Sequence, residues 1–192
     1  MALTSTLFKF DVVVADVDRG VYETVNLRAA CHPSETADHL VARVLAYCLE
    51  LTEGIALGPG LGSAEEPAAS VRDLTGQLQT WIDVGTPDTD RIHRAAKASD
   101  RVAIYCHKDV RPLIKALEGA RIHAPERVVV FALDRDLVAT LAERLDRRNE
   151  WSITVSEGQL YLEAAQPADP LTAPLVVWRR GPDGRWAEGA NR

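Results

Sequence analysis

The chain has 192 residues, of which 46% are hydrophobic, so it can bury one well-packed core, and we expect a single domain over residues 1–180. Its formal net charge is −6, which excludes a global attraction to nucleic acid or to an anionic membrane and leaves only a local basic patch for such contacts. The cysteines Cys31, Cys48 and Cys106 lack CxxC spacing, which argues against a disulfide framework and a zinc site. Without a secretory N-terminus or an apolar run of about 18 residues, the sequence favours a cytoplasmic protein with no membrane partner.

The first part of the chain changes from strand to helix to loop. Two β-prone runs flank Asp18-Arg19-Gly20, whose small polar and glycine residues suit a reversing turn. The apolar residues after Pro33 then follow a helical stripe, and proline suits the first turn of a helix. The predicted elements are strands at 6–17 and 21–30, a helix from Pro33 to Gly54, and a mobile surface loop at 58–69.

Strand and helix patterns alternate through the rest of the chain, which implies a partly parallel sheet covered on both faces. A hairpin and a last strand follow, and residues 181–192 are expected to fray. The predicted elements are a strand at 78–84, a helix started by Pro87, a strand at 102–106, a helix near 109–117, a strand at 128–133, a helix from 134 to about 148, a hairpin at 151–155 and 159–162, and a strand at 175–178.

An acid ends the strand at 78–84 beside a helix that carries cations. Side chains alternate across a strand, so Asp83 shares a face with Trp81. In the next helix Arg91, Arg94 and Lys97 are three residues apart and lie along one flank. Metal-assisted hydrolysis of a phosphodiester bond requires at least carboxylates that bind a divalent metal and a positive group beside them. The alternative is that Asp83 merely closes a strand while the arginines coat an exposed helix.

Short motifs stand in a fixed order along the chain: Met-Ala-Leu at the start, His32-Pro33-Ser34-Glu35-Thr36, Glu66-Pro67, Trp81-Ile82-Asp83-Val84-Gly85 ahead of Pro87, and Arg91-Ile92. In these motifs the chain resembles the YaeQ family from end to end. The resemblance implies an α/β fold with a restriction-endonuclease-like core, a variant of the PD-(D/E)xK nuclease core, in which helices flank a mixed β-sheet. The N-terminal β-hairpin precedes that core. Activity does not follow, because one fold hosts many functions.

The chain departs from the pattern of the resembled family at the positions that carry chemistry. The family has an acid after Glu-Pro, where this chain has Ala68, and the usual Trp-Ile-Glu ends here in Asp83, a shorter acid. The lysine of the nuclease core would stand at Gly85. Arg94 matches a lysine of the family, with Lys97 one turn later, but arginine cannot readily serve as a base.

The resemblance also implies a set of candidate site residues. Glu35 matches a place where the superfamily often supplies another acid, and Glu66 or Glu65 could replace the acid missing at Ala68. Glu35 and Asp83 are then expected to converge on one concave site. The candidate ligands of Mg²⁺ or Mn²⁺ are Glu35, Glu66 and Asp83; the candidate catalytic residues are these three with Arg94 and Lys97; and the candidate phosphate or nucleic-acid contacts are Arg91, Arg94 and Lys97.

Two hypotheses of different classes remain. The first is a magnesium- or manganese-dependent nuclease for DNA or RNA, in which Asp83→Asn removes activity while changing stability little. The second is a non-catalytic protein that keeps the nuclease fold to bind or regulate another protein or a nucleic acid. The loss of the acid at position 68 and of the lysine at position 85 favours the second hypothesis.

Overall fold

The computed structural model describes residues 5–60, 65–164 and 169–189. A short 3-10 helix covers Pro125–Arg127. None of the described helices is both long enough and apolar enough to cross a membrane. The other elements are β1 (Thr6–Asp16), β2 (Val21–Cys31), α1 (Ala37–Leu49), β3 (Ile55–Leu57), β4 (Ala69–Arg72), β5 (Leu78–Val84), α2 (Thr89–Ala98), β6 (Arg101–Cys106), α3 (Arg111–Gly119), β7 (Val128–Ala132), α4 (Arg135–Glu143), β8 (Arg148–Ser156), β9 (Gln159–Ala164), β10 (Leu171–Pro174), β11 (Val176–Arg180) and β12 (Trp186–Gly189).

The strands form two mixed sheets, which confirms the predicted α/β class. The smaller sheet has five strands in the order β10-β9-β8-β1-β2, and the larger has seven in the order β12-β11-β7-β6-β5-β4-β3. The opening hairpin is confirmed, since β1 pairs antiparallel with β2. On its other side β1 pairs parallel with β8. In the larger sheet β5, β6 and β7 run parallel, as the alternation of strands and helices predicts.

The two faces of the larger sheet belong to different parts of the core. Along β6, Ala103 and Tyr105 pack with α1, α4 and the smaller sheet, whereas Val102, Ile104 and Cys106 pack with α2 and α3. This division follows from the alternation of side chains along a strand. The layers are therefore, in order, the smaller sheet, α1 with α4, the larger sheet, and α2 with α3.

Helix α1 lies between the two sheets, and most of its residues are buried on every side. A helix in this position needs apolar residues all round, which the run from Leu40 to Leu49 largely supplies. The helix begins at Ala37 and not at Pro33, because the hydroxyl of Thr36 caps it by accepting from the backbone N–H of His39 at 3.2 Å.

The structure departs from the sequence predictions chiefly at short strands. Strands β3 and β4 have three and four residues, too few for a clear alternation of side chains. The last residue of the loop predicted at 58–69, Ala69, is the first residue of β4. Within that loop, residues 61–64 lie outside the described residues. The described part of the tail expected to fray, residues 181–189, includes β12, which pairs with β11. The side chain of Trp186 is buried there.

Candidate functional site

Asp83 lies near the end of β5, and only 3% of its surface is exposed. It shares a strand face with Trp81, and that face is covered by α2. From α2, Arg91 donates to both carboxylate oxygens of Asp83: Nε to Oδ2 and Nη2 to Oδ1, each at 2.8 Å. Bidentate pairs of this kind are among the strongest side-chain contacts in proteins. The carboxylate predicted to bind a metal is therefore held by a guanidinium.

Further contacts fix the guanidinium of Arg91. The carboxylate of Asp88 caps α2 by accepting from the backbone N–H of Arg91 at 2.7 Å, so Arg91 stands in the first turn and Pro87 lies outside the helix. Arg91 Nη2 also donates to the backbone oxygen of Glu66 at 2.8 Å, and its guanidinium carbon lies 5.3 Å from the centroid of the Trp81 ring. The hydrogen bonds to Asp83 raise the pKa of Arg91. Arg91 thus joins β5, α2 and the segment that precedes β4.

Glu35 belongs to a separate buried network beside α1. Its Oε1 lies 2.7 Å from Nδ1 of His39, and its Oε2 accepts from Nη2 of Arg43 at 3.2 Å. Nε of Arg43 is 2.9 Å from Oε1, although the angle does not give a hydrogen bond. The side chains of Glu35 and Arg43 are 0% and 1% exposed. Burial lowers the pKa of Arg43, and the charge of Glu35 opposes this shift.

The three predicted metal ligands are not brought together. Glu35 contacts residues on the α1 side of the larger sheet, while the alternation of β5 turns Asp83 to the α2 side, so the expected convergence of these two carboxylates is wrong. The side chain of Glu66 is exposed, and Arg91 donates to the backbone oxygen of Glu66. Across residues 5–60, 65–164 and 169–189, no group of three or more His, Cys, Asp or Glu side chains could hold a metal ion. The described side chains therefore do not fit Mg²⁺ or Mn²⁺ as they stand.

Two of the three predicted cations line a small cavity of about 140 Å³ where α2 lies against β5. The cavity is lined by Glu65, Trp81, Arg91, Arg94 and Ala98, so Arg91 and Arg94 meet there while the exposed Lys97 lies beyond the lining. Arg94 Nη1 is 3.1 Å from Oε2 of Glu65, and these side chains are 59% and 77% exposed. The indole N–H of Trp81 is buried and has no hydrogen-bond partner within the described part of the chain. The charged side chains of this cavity are therefore one carboxylate, Glu65, and two guanidiniums, Arg91 and Arg94.

His107 is a buried polar residue that the sequence predictions missed. It follows β6, is 8% exposed, and its Nδ1 finds no hydrogen-bond partner among the described residues. Its ring centroid lies 5.9 Å from that of His39. Burial, followed by the charges of His39 and Lys108, lowers the pKa of His107 from 6.5 to about 4. Alternation along β6 was the available signal, because it places His107 on the same face as Tyr105, toward α1.

Gly85, the residue at which the family resemblance led us to expect the lysine of a nuclease core, directly follows β5. Its φ is +89°, a backbone conformation that favours glycine. Space is not the constraint, since a Cβ at Gly85 would lie 3.8 Å from Cε1 of His107, an ordinary contact. The backbone turn itself therefore disfavours a lysine at this position.

The family model described as YaeQ protein matches residues 1–170. The chain belongs to the YaeQ family. The YaeQ proteins of Salmonella typhi and Escherichia coli K12, both described as uncharacterized, are 30% and 28% identical to this chain over 187 residues, which cover 94% of this chain and 99% of each relative.

Solved structures of YaeQ proteins have the same fold. The crystal structure of the Pseudomonas syringae protein superposes with a TM-score of 0.80 and 30% identity, and covers 96% of this chain and 97% of that one. The Xanthomonas axonopodis pv. citri protein also gives a TM-score of 0.80, with 28% identity over 90% of this chain and 97% of that one. This chain therefore shares its arrangement of two mixed sheets with flanking helices with YaeQ proteins of known structure.

In this YaeQ-family chain, Asp83→Asn is expected to lower the free energy of unfolding by about 2 kcal/mol, since a hydrogen bond to a charged group contributes about 1.5–3 kcal/mol. The substitution leaves the partly buried guanidinium of Arg91 without its counter-charge. This replaces the expectation that the change affects stability little. Urea unfolding of both proteins measures the effect, with Asp100→Asn, an exposed acid, as the matched control. Equal stability of the two variants would show that the Asp83–Arg91 pair contributes nothing to the fold.

Proposed function

We propose that this YaeQ-family chain is a non-catalytic binding protein with a restriction-endonuclease-like core, and that it contacts the phosphates of a nucleic acid through Arg94 and Lys97. The observation that carries this proposal is the bidentate pair of Asp83 and Arg91, in which a protein cation takes both carboxylate oxygens. The larger sheet has α1 on one face and α2 on the other, and this arrangement supports the proposal of a restriction-endonuclease-like core.

The other positions required for hydrolysis support a non-catalytic role. Metal-assisted cleavage needs free carboxylate oxygens that hold the ion and a group that activates water. The carboxylate of Glu35 is engaged by Arg43 and His39, and positions 68 and 85 carry alanine and glycine. The engaged carboxylate of Glu35 and the residues at positions 68 and 85 thus favour a binding role over hydrolysis.

The cavity beside α2 supports a phosphate as the bound group. Its volume of about 140 Å³ is below the roughly 300–1,000 Å³ of pockets for drug-sized ligands, so it suits one phosphate better than a whole nucleotide. Arg94 lines the cavity, and its exposed guanidinium supplies the donors. Glu65 competes for Arg94, but an exposed ion pair contributes at most about 1 kcal/mol, so a phosphate can displace it.

Removing the exposed cations tests the proposal. Arg94→Gln/Lys97→Gln is expected to weaken binding of a labelled oligonucleotide at least about tenfold and to lower the salt slope by about two, because each phosphate contact contributes about one to that slope. Fluorescence anisotropy between about 50 and 200 mM salt measures both quantities. Arg91 is left intact because it holds Asp83. Glu65→Gln is expected to strengthen binding, since it removes the competing acid.

Lys115→Gln/Arg127→Gln is the matched control, since it removes the same charge from exposed positions outside the cavity. An equal loss of affinity in this control would show that net charge, and not the Arg94 and Lys97 patch, governs binding. Manganese calorimetry and oligonucleotide cleavage test the competing hypothesis. Manganese-dependent cleavage that Asp83→Asn abolishes would establish the nuclease and overturn the non-catalytic proposal.

A further inference from the structure

Three cations form a row on the outer face of the smaller sheet. In the strand register Lys9 lies opposite Arg28 on β2 and opposite Arg148 on β8. All three are exposed, whereas Phe10, the neighbour of Lys9, points into the core. Adjacent strands are about 4.8 Å apart, so the row brings three positive charges close together on one face.

The row is not neutralised by the described part of the chain. Within residues 5–60, 65–164 and 169–189, no ion pair of 4.0 Å or less involves Lys9, Arg28 or Arg148. On the same strands and the same face, Asp11 and Glu150 stand in the next outward row, about 7 Å along the strands. Like charges directly opposite on neighbouring strands destabilise a sheet. In a chain of net charge −6, such a row is not part of a generally basic surface.

A cavity lies over the row. Its volume is about 260 Å³, somewhat below the range of about 300–1,000 Å³ for drug-sized ligands. The amide of Asn26 stands beside the cations and can donate a further hydrogen bond. The cavity is lined by Lys9, Asp11, Asn26, Leu27, Arg28 and Arg148.

We propose that this cavity binds the oxyanion group, phosphate or carboxylate, of a small molecule. Guanidinium groups recognise both oxyanions through paired donors, and a bound anion removes the repulsion within the row. A long polyanion fits less well, because its next charges along the strands would meet Glu150 in addition to Asp11, which already lines one end of the cavity. The site is independent of the nucleic-acid patch, since α1, α4 and the larger sheet separate the smaller sheet from α2.

Calorimetric titration of the full chain with inorganic phosphate, and separately with citrate, at constant ionic strength tests the site. We expect one site per chain, and at least about tenfold weaker binding in Arg28→Gln and in Lys9→Gln, because each loses a charge-assisted hydrogen bond. Arg127→Gln, an exposed arginine outside the cavity, is expected to bind like the unmodified chain.

A second measurement separates lost binding from lost structure. Without an anion, Lys9→Gln is expected to unfold at the same or a higher temperature than the unmodified chain, because it relieves repulsion within the row. A lower unfolding temperature would show that the row is already balanced and would overturn the argument. Absence of binding to both anions, or equal binding in Arg28→Gln, would overturn the site. Tighter binding of a 12-nucleotide strand through Arg28 than of either small anion would overturn its assignment to a small molecule.

Discussion

Arg43→Met is expected to destabilise the protein by about 3–5 kcal/mol, the usual effect of removing one partner from a buried ion pair. The side chain of Glu35 has no exposure, so the substitution leaves a carboxylate buried without its guanidinium. The backbone oxygens of Ala30 and Gly58 also lose their hydrogen bonds to Arg43. Urea unfolding followed by circular dichroism measures the effect.

Arg94→Met is the matched control, because it removes the same group from an exposed ion pair with Glu65. Its effect on the free energy of unfolding is expected to stay below about 1 kcal/mol. Glu35→Gln/Arg43→Met is expected to recover part of the stability lost in Arg43→Met, since no charge then remains unpaired. A loss below about 1 kcal/mol in Arg43→Met would contradict the assignment of the pair as buried and charged.

The stability of the fold is expected to fall as the pH drops from about 6.5 to about 4, by about 3 kcal/mol from His107 alone. The folded state keeps this ring neutral down to about pH 4, whereas the unfolded chain takes up a proton near pH 6.5, so acid favours the unfolded chain in this window. The contribution is therefore fully present above pH 6.5 and is lost below pH 4. The neighbouring charges of His39 and Lys108 act in the same direction, and Asp38 opposes them.

His107→Gln isolates this contribution from the carboxylates that titrate over the same range. The slope of unfolding free energy against pH is expected to be smaller in the variant by at most about 1.4 kcal/mol per pH unit, the effect of one proton. His123→Gln, at an exposed position, is expected to keep the slope of the unmodified chain. Parallel slopes for the His107 variant and the unmodified chain would rule out a buried neutral His107.

Local patterns predicted most of the longer elements, although the helix expected to reach about residue 148 ends at Glu143 and β8 begins at Arg148. The turn residues Asp18-Arg19-Gly20 predicted the opening hairpin, and alternation along β5 placed Asp83 beside Trp81, where Arg91 contacts both. The start of α1 was misplaced because proline at position 33 also suits a turn, and the cap of Thr36 decides the first helical residue.

The sequence identified individual candidate residues of the site, but not which of them contact one another. Alternation determines which side chains share a strand face, but it does not determine which helix covers that face. That choice depends on how the chain crosses the sheet, and it is the reason why Glu35 and Asp83 lie in different networks. The pairing of Asp83 with Arg91 was missed for a related reason, since spacing along α2 does not show which cation turns inward.

The pairing of β1 with β8 has a consequence for how the chain folds. Residues 9–16 find their parallel partners at residues 148–155, so the middle strand of the smaller sheet is completed only after most of the chain has been synthesised. Until then the opening hairpin is an isolated two-stranded unit, which is at best marginally stable in water, and α1 lacks the sheet that covers its outer side. Contacts so distant in sequence slow folding, and the exposed edge of β1 is open to wrong pairing meanwhile. We therefore expect the nascent chain to be more prone to aggregation before β8 is available than after it.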